Sequence, residues 1–308
     1  MKIVEHKFQV KSRKDEFRFY VLGDVHIGAL NCAEDEFRRF VSYIKNTPNS
    51  YWVGGGDYCD AVILKDAMRF DVNTLPNWML SGDATATRRN MGDMLVAQRS
   101  RFLNMVAPIK DKCLGLIEGN HEYSIFKHHN SDHLQMLCDS LDVQNLSDCA
   151  FLRWNFGYAK TATNTTTRGS IVNVFICHGR GGGRSSGAEP NKLYQLAADK
   201  DTDIVLTGHT HSFCIHPPIP MLTIPRRGAL PENPIITEKH AINWGSFVHG
   251  YSDGPSTYAS RALYPLRPMY TVEIAIQPHR FSQTGKKDGK ADTKTRQLAS
   301  IDVRPHRL

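Results

Sequence analysis

The sequence predicts an α/β fold, and two observations predict it. Residues 16–57 read as a strand, a helix and a second strand, with acidic and imidazole groups following both strands. Five polar clusters then repeat that geometry: GDVHIGA at 23–29, GGDYCD at 55–60, EGNHE at 118–122, CHGRGGG at 177–183 and GHTH at 208–211. Each follows an apolar run, the shortest being 51–54. In open α/β sheets, buried strands deliver polar groups to their carboxyl ends in this way, and ligands bind there.

Taken in order, residues 1–22 alternate enough for two strands, about 3–10 and 16–22, joined by the charged KSRKDE segment. Phe37, Phe40, Val41 and Ile44 share one face of a helix over 34–46, which Pro48 and Asn49 close. A strand at 51–53 follows. Residues 61–85 show no pattern, and Pro76, Trp78 and Gly82 mark them as an irregular excursion. Met91, Met94, Leu95, Phe102, Met105 and Val106 place a helix over 85–107, with core packing the expected role of the Met stripe. A short helix is expected at 131–141. Two strand-like runs within 149–176 flank a polar turn, Thr161 to Gly169, as in a hairpin. A helix near 190–200 leads to a strand, Ile204 to Thr207. Proline density over 217–234 marks a surface excursion, and strands near 240–248, 268–276 and 296–303 complete the chain. The expected division is one domain over 1–276 and a basic extension over 277–308.

Composition narrows the class. Hydrophobic and charged fractions of 41% and 22% are those of a soluble globular protein. No run approaches the roughly 20 apolar residues of a membrane span. Glu5, His6 and Lys7 fall where a signal peptide needs an apolar core, so a cytoplasmic location is expected. Seven cysteines without a CxxC pair read as small buried hydrophobes and argue against a thiolate zinc site. The net charge is +7, and residues 277–308 carry eight Lys or Arg against three Asp. Such a segment suits either a polyanion or solvent.

Seven side chains arrive at strand ends: Asp24, His26, Asp57, Asn120, His178, His209 and His211. Carboxylate, imidazole and amide donors together suit Mn²⁺, Fe or Zn²⁺, and seven are too many for one ion. Two ions sharing a carboxylate would use them all, and such a pair polarises a phosphoryl oxygen and acidifies a bridging water.

The five clusters, in the order DxH, GDxxD, GNH, H and GHxH, resemble the calcineurin-like metallophosphoesterase superfamily over residues 17 to about 276. The resemblance implies a four-layer α/β/β/α sandwich. It assigns Asp24, His26 and His211 to a first metal, Asp57 as the bridge, and Asn120, His178 and His209 to a second. It makes His121 the residue that serves the leaving oxygen, with Asp60 orienting its ring. An alkoxide leaving group needs a proton donor, and a carboxylate keeps imidazole protonated, so the physical logic agrees. Asn243-Trp244-Gly245-Ser246 resembles the strand-and-turn that follows GHxH in the superfamily, with Trp244 where proline is usual.

The substrate is narrowed by what is missing. The protein phosphatases that this chain resembles at GDxH and GNHE place arginines where this chain has Ala61 and Glu118. A carboxylate beside a phosphomonoester dianion repels it. A phosphodiester needs less cationic help, and Arg180 and Arg184 stand in a glycine-rich loop that could hold a phosphate chain. Trp78 and Tyr123 are candidates for stacking on a base, with packing the competing role. The leading expectation is therefore a Mn²⁺-dependent phosphodiesterase acting on DNA or another nucleic acid, with no membrane partner. A small-molecule phosphatase or nucleotide pyrophosphatase, and a metal-holding scaffold without turnover, are the alternatives.

Overall fold

Two β-sheets packed face to face, each covered on its outer side by helices, form a four-layer α/β/β/α sandwich, as expected. This computed structural model describes residues 1–12, 14–63, 70–80, 84–158, 169–181, 185, 187–223, 235–251, 268–287 and 290–308. The first sheet contains β1 (Lys2–Val10), β5 (Cys149–Tyr158), β6 (Gly169–Cys177), β7 (Ile204–Thr207), β8 (Phe213–Ile215), β9 (Ile219–Thr223) and β10 (Ile235–Trp244). Its order is β1-β5-β6-β7-β10-β8, with β9 also paired to β10. The second sheet, ordered β12-β11-β2-β3-β4, contains β2 (Phe17–Leu22), β3 (Ser50–Gly54), β4 (Cys113–Leu116), β11 (Tyr270–Lys287) and β12 (Lys290–Arg307). β2, β3 and β4 run parallel, as do β6, β7 and β10. The carboxyl ends of both parallel sets meet at one edge of the sandwich.

Strand alternation sorts side chains into layers. Phe19, Val21, Val272 and Ile274 of one sheet face Trp154, Val174, Leu206 and Ile242 of the other. Phe19 and Trp154 stack with centroids 3.9 Å apart, the rings inclined by 10°. The alternate residues Tyr20, Leu22, Trp52 and Leu116 pack outward on α1 (Glu34–Asn46), α4 (Met94–Val106) and α6 (His133–Leu141). Phe175, Val205 and Ala241 of the first sheet meet Leu193 and Ala197 of α7 (Ala188–Ala198). Each fully buried large side chain contributes roughly 1.5–3 kcal/mol, so the inter-sheet and helix-side cores both stabilise the fold strongly.

The structure departs from expectation at several places. The single helix over 85–107 is two, α3 (Ala84–Gly92) and α4, because Asp93 leaves helical backbone at φ −138° and its carboxylate caps the Val96 N–H. Helix α5 (Asn120–His129) was not expected, and it begins within the central polar cluster. β9 lies inside the proline-rich stretch. Residues 276 and 277 both lie within β11, which pairs along its full length with β12. A short helix, α2 (Asn77–Leu80), sits in the excursion at 61–85. Residues 64–69 and 81–83 of that excursion, the turn at 161–168 and residues 224–234 lie outside the described residues.

Candidate metal centre

The turns that leave β2 and β3 are laced together by their backbones. The N–H of Asp24 donates to Gly56 O at 2.9 Å, and those of Val25 and His26 to Asp57 O at 2.9 and 3.0 Å. Ile117 N–H donates to Gly54 O at 3.2 Å and Gly208 N–H to His178 O at 2.9 Å, which brings the remaining turns alongside. The indole of Trp244, fully buried at the end of β10, lies against three of these turns. A Cβ on Gly23, Gly55 or Gly208 would come within 2.8, 2.7 or 2.2 Å of it, so glycine is a steric requirement at each.

Seven expected side chains converge on this floor. Asp24, His26, Asp57 and His178 are buried, whereas Asn120, His209 and His211 line the open side. The Nε2 atoms of His26 and His211 are 3.1 Å apart, and His211 Nε2 is 3.5 Å from Asp24 Oδ1. Asp57 Oδ2 lies 3.1 Å from His178 Nε2, 3.8 Å from His26 Nε2 and 4.0 Å from His121 Nε2. Asn120 Oδ1 is 2.6 Å from His209 Nδ1 and 3.1 Å from His178 Nε2. Asp24–His26–His211 and Asp57–His178–His209 each bring one ligand atom per residue close enough to share an ion, and a third such group is His26–Asp57–His121.

Hydrogen bonds outside the cluster aim these atoms. His178 Nδ1 donates to the Gly55 carbonyl at 2.8 Å, which fixes the tautomer and leaves Nε2 facing Asp57 and Asn120. Asp24 Oδ2 accepts from Trp244 Nε1 at 2.7 Å and from His209 N–H at 3.1 Å. Its Oδ1 is buried without a hydrogen-bond partner among the described residues. A buried carboxylate oxygen without a donor is costly, and a cation at that point satisfies it. With two imidazole nitrogens meeting beside that oxygen, the donor set fits a divalent transition-metal ion.

The protonation pattern fits as well. Burial alone would raise Asp57, yet the imidazoles of His121 and His178 hold it well below the usual carboxylate range. Burial opposes the charge on His178, but Asp57 and Asp24 outweigh it and push the ring up to about 10. Burial raises Asp24. Desolvation in the cleft, then the adjacent His26 ring, lowers His211. The His178 ring thus carries a proton where an ion would place positive charge.

Around the cluster, expectations and positions differ in detail. His121 is at the second residue of α5, and its backbone N–H donates to Asp57 Oδ1 at 2.9 Å. Its Nδ1 meets the backbone carbonyl of Asp60, whereas the Asp60 carboxylate stands 3.7 Å from His26 Nδ1. Asp60 therefore steadies His121 through its main chain and His26 through its side chain. Arg180 is exposed two residues beyond His178, and Arg184 lies outside the described residues. Trp78 packs instead of presenting its face to a ligand: its Nε1 donates to Glu34 at 2.9 Å and the Arg101 guanidinium lies 4.6 Å from its ring centroid.

The roles of three residues escaped the sequence analysis. Glu122 is buried, and its carboxylate accepts from Asp57 N, Tyr58 N and Gly119 N at 2.8, 3.0 and 3.1 Å, tying the GDxxD turn to α5. Its signal was present, since an acidic residue three places into a helix bonds back to the capping N–H. Trp244 holds Asp24. Lys192 of α7 lies beside the loop after His178, with Nζ 3.4 Å from Gly181 O, and its charge is felt at His209.

A cluster of carboxylate, imidazole and amide donors at the strand ends of a four-layer sandwich defines a phosphoesterase-type metal centre. The family profile for calcineurin-like phosphoesterases matches residues 17–213, and the chain belongs to that family. Among solved structures, a single-mutant Vps29 from Entamoeba histolytica is 12% identical, covering 92% of this chain and 99% of its own, with a TM-score of 0.33. NAD nucleotidase (NadN) from Haemophilus influenzae is 10% identical, covering 96% of this chain and 50% of its own, with a TM-score of 0.39. A hypothetical protein from Thermus thermophilus is 12% identical, covering 94% of this chain and 100% of its own, with a TM-score of 0.31. No curated protein sequence matches the chain. Among the described residues, no helix is long and apolar enough to cross a membrane.

Proposed function

We propose that the protein is a two-metal phosphodiesterase of the GHxH-containing branch, with nucleic acid as the favoured substrate class and Mn²⁺ as the favoured ion. The observation that carries this reading is the pair of ion-competent triads, Asp24–His26–His211 and Asp57–His178–His209, meeting beside His121. Asp24, His26 and His211 would hold one ion and Asn120, His178 and His209 the other, with Asp57 between them. Such ions act as Lewis acids that neutralise charge on a phosphoryl group and acidify water.

The chain's own residues supply the rest. The Asp60 carbonyl can only accept, so His121 Nδ1 carries its hydrogen and Nε2 is the atom left to exchange a proton with the leaving oxygen. His121→Ala should lower turnover by roughly 10²-fold or more while bound Mn²⁺, measured by elemental analysis, stays near the wild-type level. Loss of the metal in that variant would sink the assignment.

The preference for a diester rests on the local charge. Neither Ala61 nor Glu118 offers a cation for the second charge of a phosphomonoester. Lys192 adds an ammonium beside the His178 loop, where it can meet a phosphodiester's charge. The basic sequence of the β11–β12 hairpin favours a polyanion over a small molecule. Mn²⁺-loaded protein should hydrolyse bis(p-nitrophenyl) phosphate faster than p-nitrophenyl phosphate. The reverse order would favour a small-molecule phosphatase instead.

A further inference from the structure

Two cysteines that the candidate centre does not use stand directly opposite each other. Antiparallel β5 and β6 pair Cys149 with Cys177. Asn173, four residues before Cys177, turns both its backbone groups away from β5. Its N–H donates to Asp203 Oδ2 at 2.7 Å, and its carbonyl accepts from Asp203 N at 2.9 Å. Backbone direction alternates along a strand, so Asn173, Phe175 and Cys177 all sit at non-hydrogen-bonded positions opposite β5. Facing residues there have Cα atoms about 4.5 Å apart, inside the range of about 4.4–6.8 Å that a disulfide spans. The neighbouring pair on the same face, Phe151 and Phe175, already makes ring contact at 5.0 Å.

Both cysteines are free and only partly enclosed, at the edge of the α7-side core. At Cys149, burial and then the Asp148 carboxylate act against the thiolate, while Lys200, whose Nζ lies 5.1 Å from the Phe175 ring centroid, acts for it. Cys177 also touches the candidate centre's framework. Its Sγ lies 3.8 Å from Thr207 Oγ1, that hydroxyl donates to the His178 carbonyl at 3.4 Å, and His178 is the next residue in the chain.

We propose that Cys149 and Cys177 form a reversible cross-strand disulfide that weakens metal binding at His178. With a peroxide, one thiol attacks the O–O bond to give a sulfenic acid and water. The second thiol then displaces a second water as the S–S bond forms, so two thiols are oxidised and one peroxide is reduced. A small disulfide serves equally: one thiolate displaces one half of it, the second cysteine displaces the other, and two small thiols leave. Closure removes the Sγ–H from Thr207 and pulls on the strand end that carries His178. Burial raises both thiols above their ordinary range, which slows the first attack without preventing it.

The test uses the full chain, reduced and then exposed to hydrogen peroxide or oxidised glutathione, with thiols mapped by alkylation and peptide mass spectrometry. A linked peptide containing Cys149 and Cys177, lost on reduction and absent from Cys149→Ser, is expected. Mn²⁺ binding by equilibrium dialysis should be about tenfold weaker in the oxidised form, as when a support of a metal ligand is disturbed. Oxidation of either cysteine without a link between them overturns the proposal. So does a link that leaves Mn²⁺ binding unchanged. The binding effect rests on the metal-centre reading, whose failure would show first as reduced protein that binds no Mn²⁺. The peptide map would still decide the cross-link independently.

Discussion

Trp244 shows how much a single side chain can decide. Its N–H fills one side of Asp24 Oδ2, and its ring occupies the space that Cβ atoms would take at Gly23, Gly55 and Gly208. Trp244→Phe keeps most of the ring and removes the donor. That variant should fold and bind Mn²⁺ roughly ten times more weakly, as other losses of outer support do, and isothermal titration would read the change. The seven clustered donors were legible in the sequence because each follows a strand that ends in a glycine turn. Trp244 was not, since an indole on a buried strand looks like core until its N–H is seen to meet a carboxylate. Asp60 was legible as a partner of His121, though not that its carbonyl makes the contact and its carboxylate turns to His26.

Helices α5 and α6 differ in how openly their sequences declare them. The segment NHEYSIFKHH lacks a clean apolar stripe, with Glu122 and Ile125 as its buried residues, so periodicity could not reveal α5. α6 was legible because Leu134, Leu137, Cys138 and Leu141 fall on one face. Its first residue, His133, is buried with both ring nitrogens unpartnered among the described residues. Burial, then the charge of Arg99, lowers it from 6.5 to about 4. A folded value below the unfolded one means that the unfolded chain takes up the proton first. The stability is therefore complete above about pH 6.5 and is lost as the pH falls toward 4. The loss amounts to roughly 3 kcal/mol over that window. His133→Leu should keep that stability, so urea midpoints of the variant and wild type should diverge between pH 7 and pH 4.5.

For the whole molecule, the four layers followed from the resemblance more than from periodicity. β1 and β2 are neighbours in sequence, yet β1 pairs with β5 in one sheet and β2 with β3 and β11 in the other. The β1–β5 and β2–β11 choices depend on partners more than a hundred residues away, which local pattern does not encode. The length of the β11–β12 hairpin was hidden for a related reason: its outer half is polar in sequence and reads as loop. Mn²⁺ should act on the molecule as a whole, because burial and the neighbouring Asp57 both raise the cost of ionising Asp24 inside the cleft. At a hundred times its dissociation constant, a single bound ion adds about 2.7 kcal/mol to the unfolding free energy. Melting curves with Mn²⁺ should therefore shift upward, and a chelator should return them. Curves that coincide would count against an ion in this cleft.

Five of the seven donors, Asp24, His26, Asp57, His209 and His211, hold left-handed backbone, with φ between 50° and 70°. Each such position costs about 1 kcal/mol or more relative to a glycine in the same place. A laboratory lineage selected for heat resistance alone would thus be drawn toward glycine at these turns, shedding its ligands as it hardened. Keeping them requires selection for what the cleft does, so their persistence in a lineage becomes a record of use.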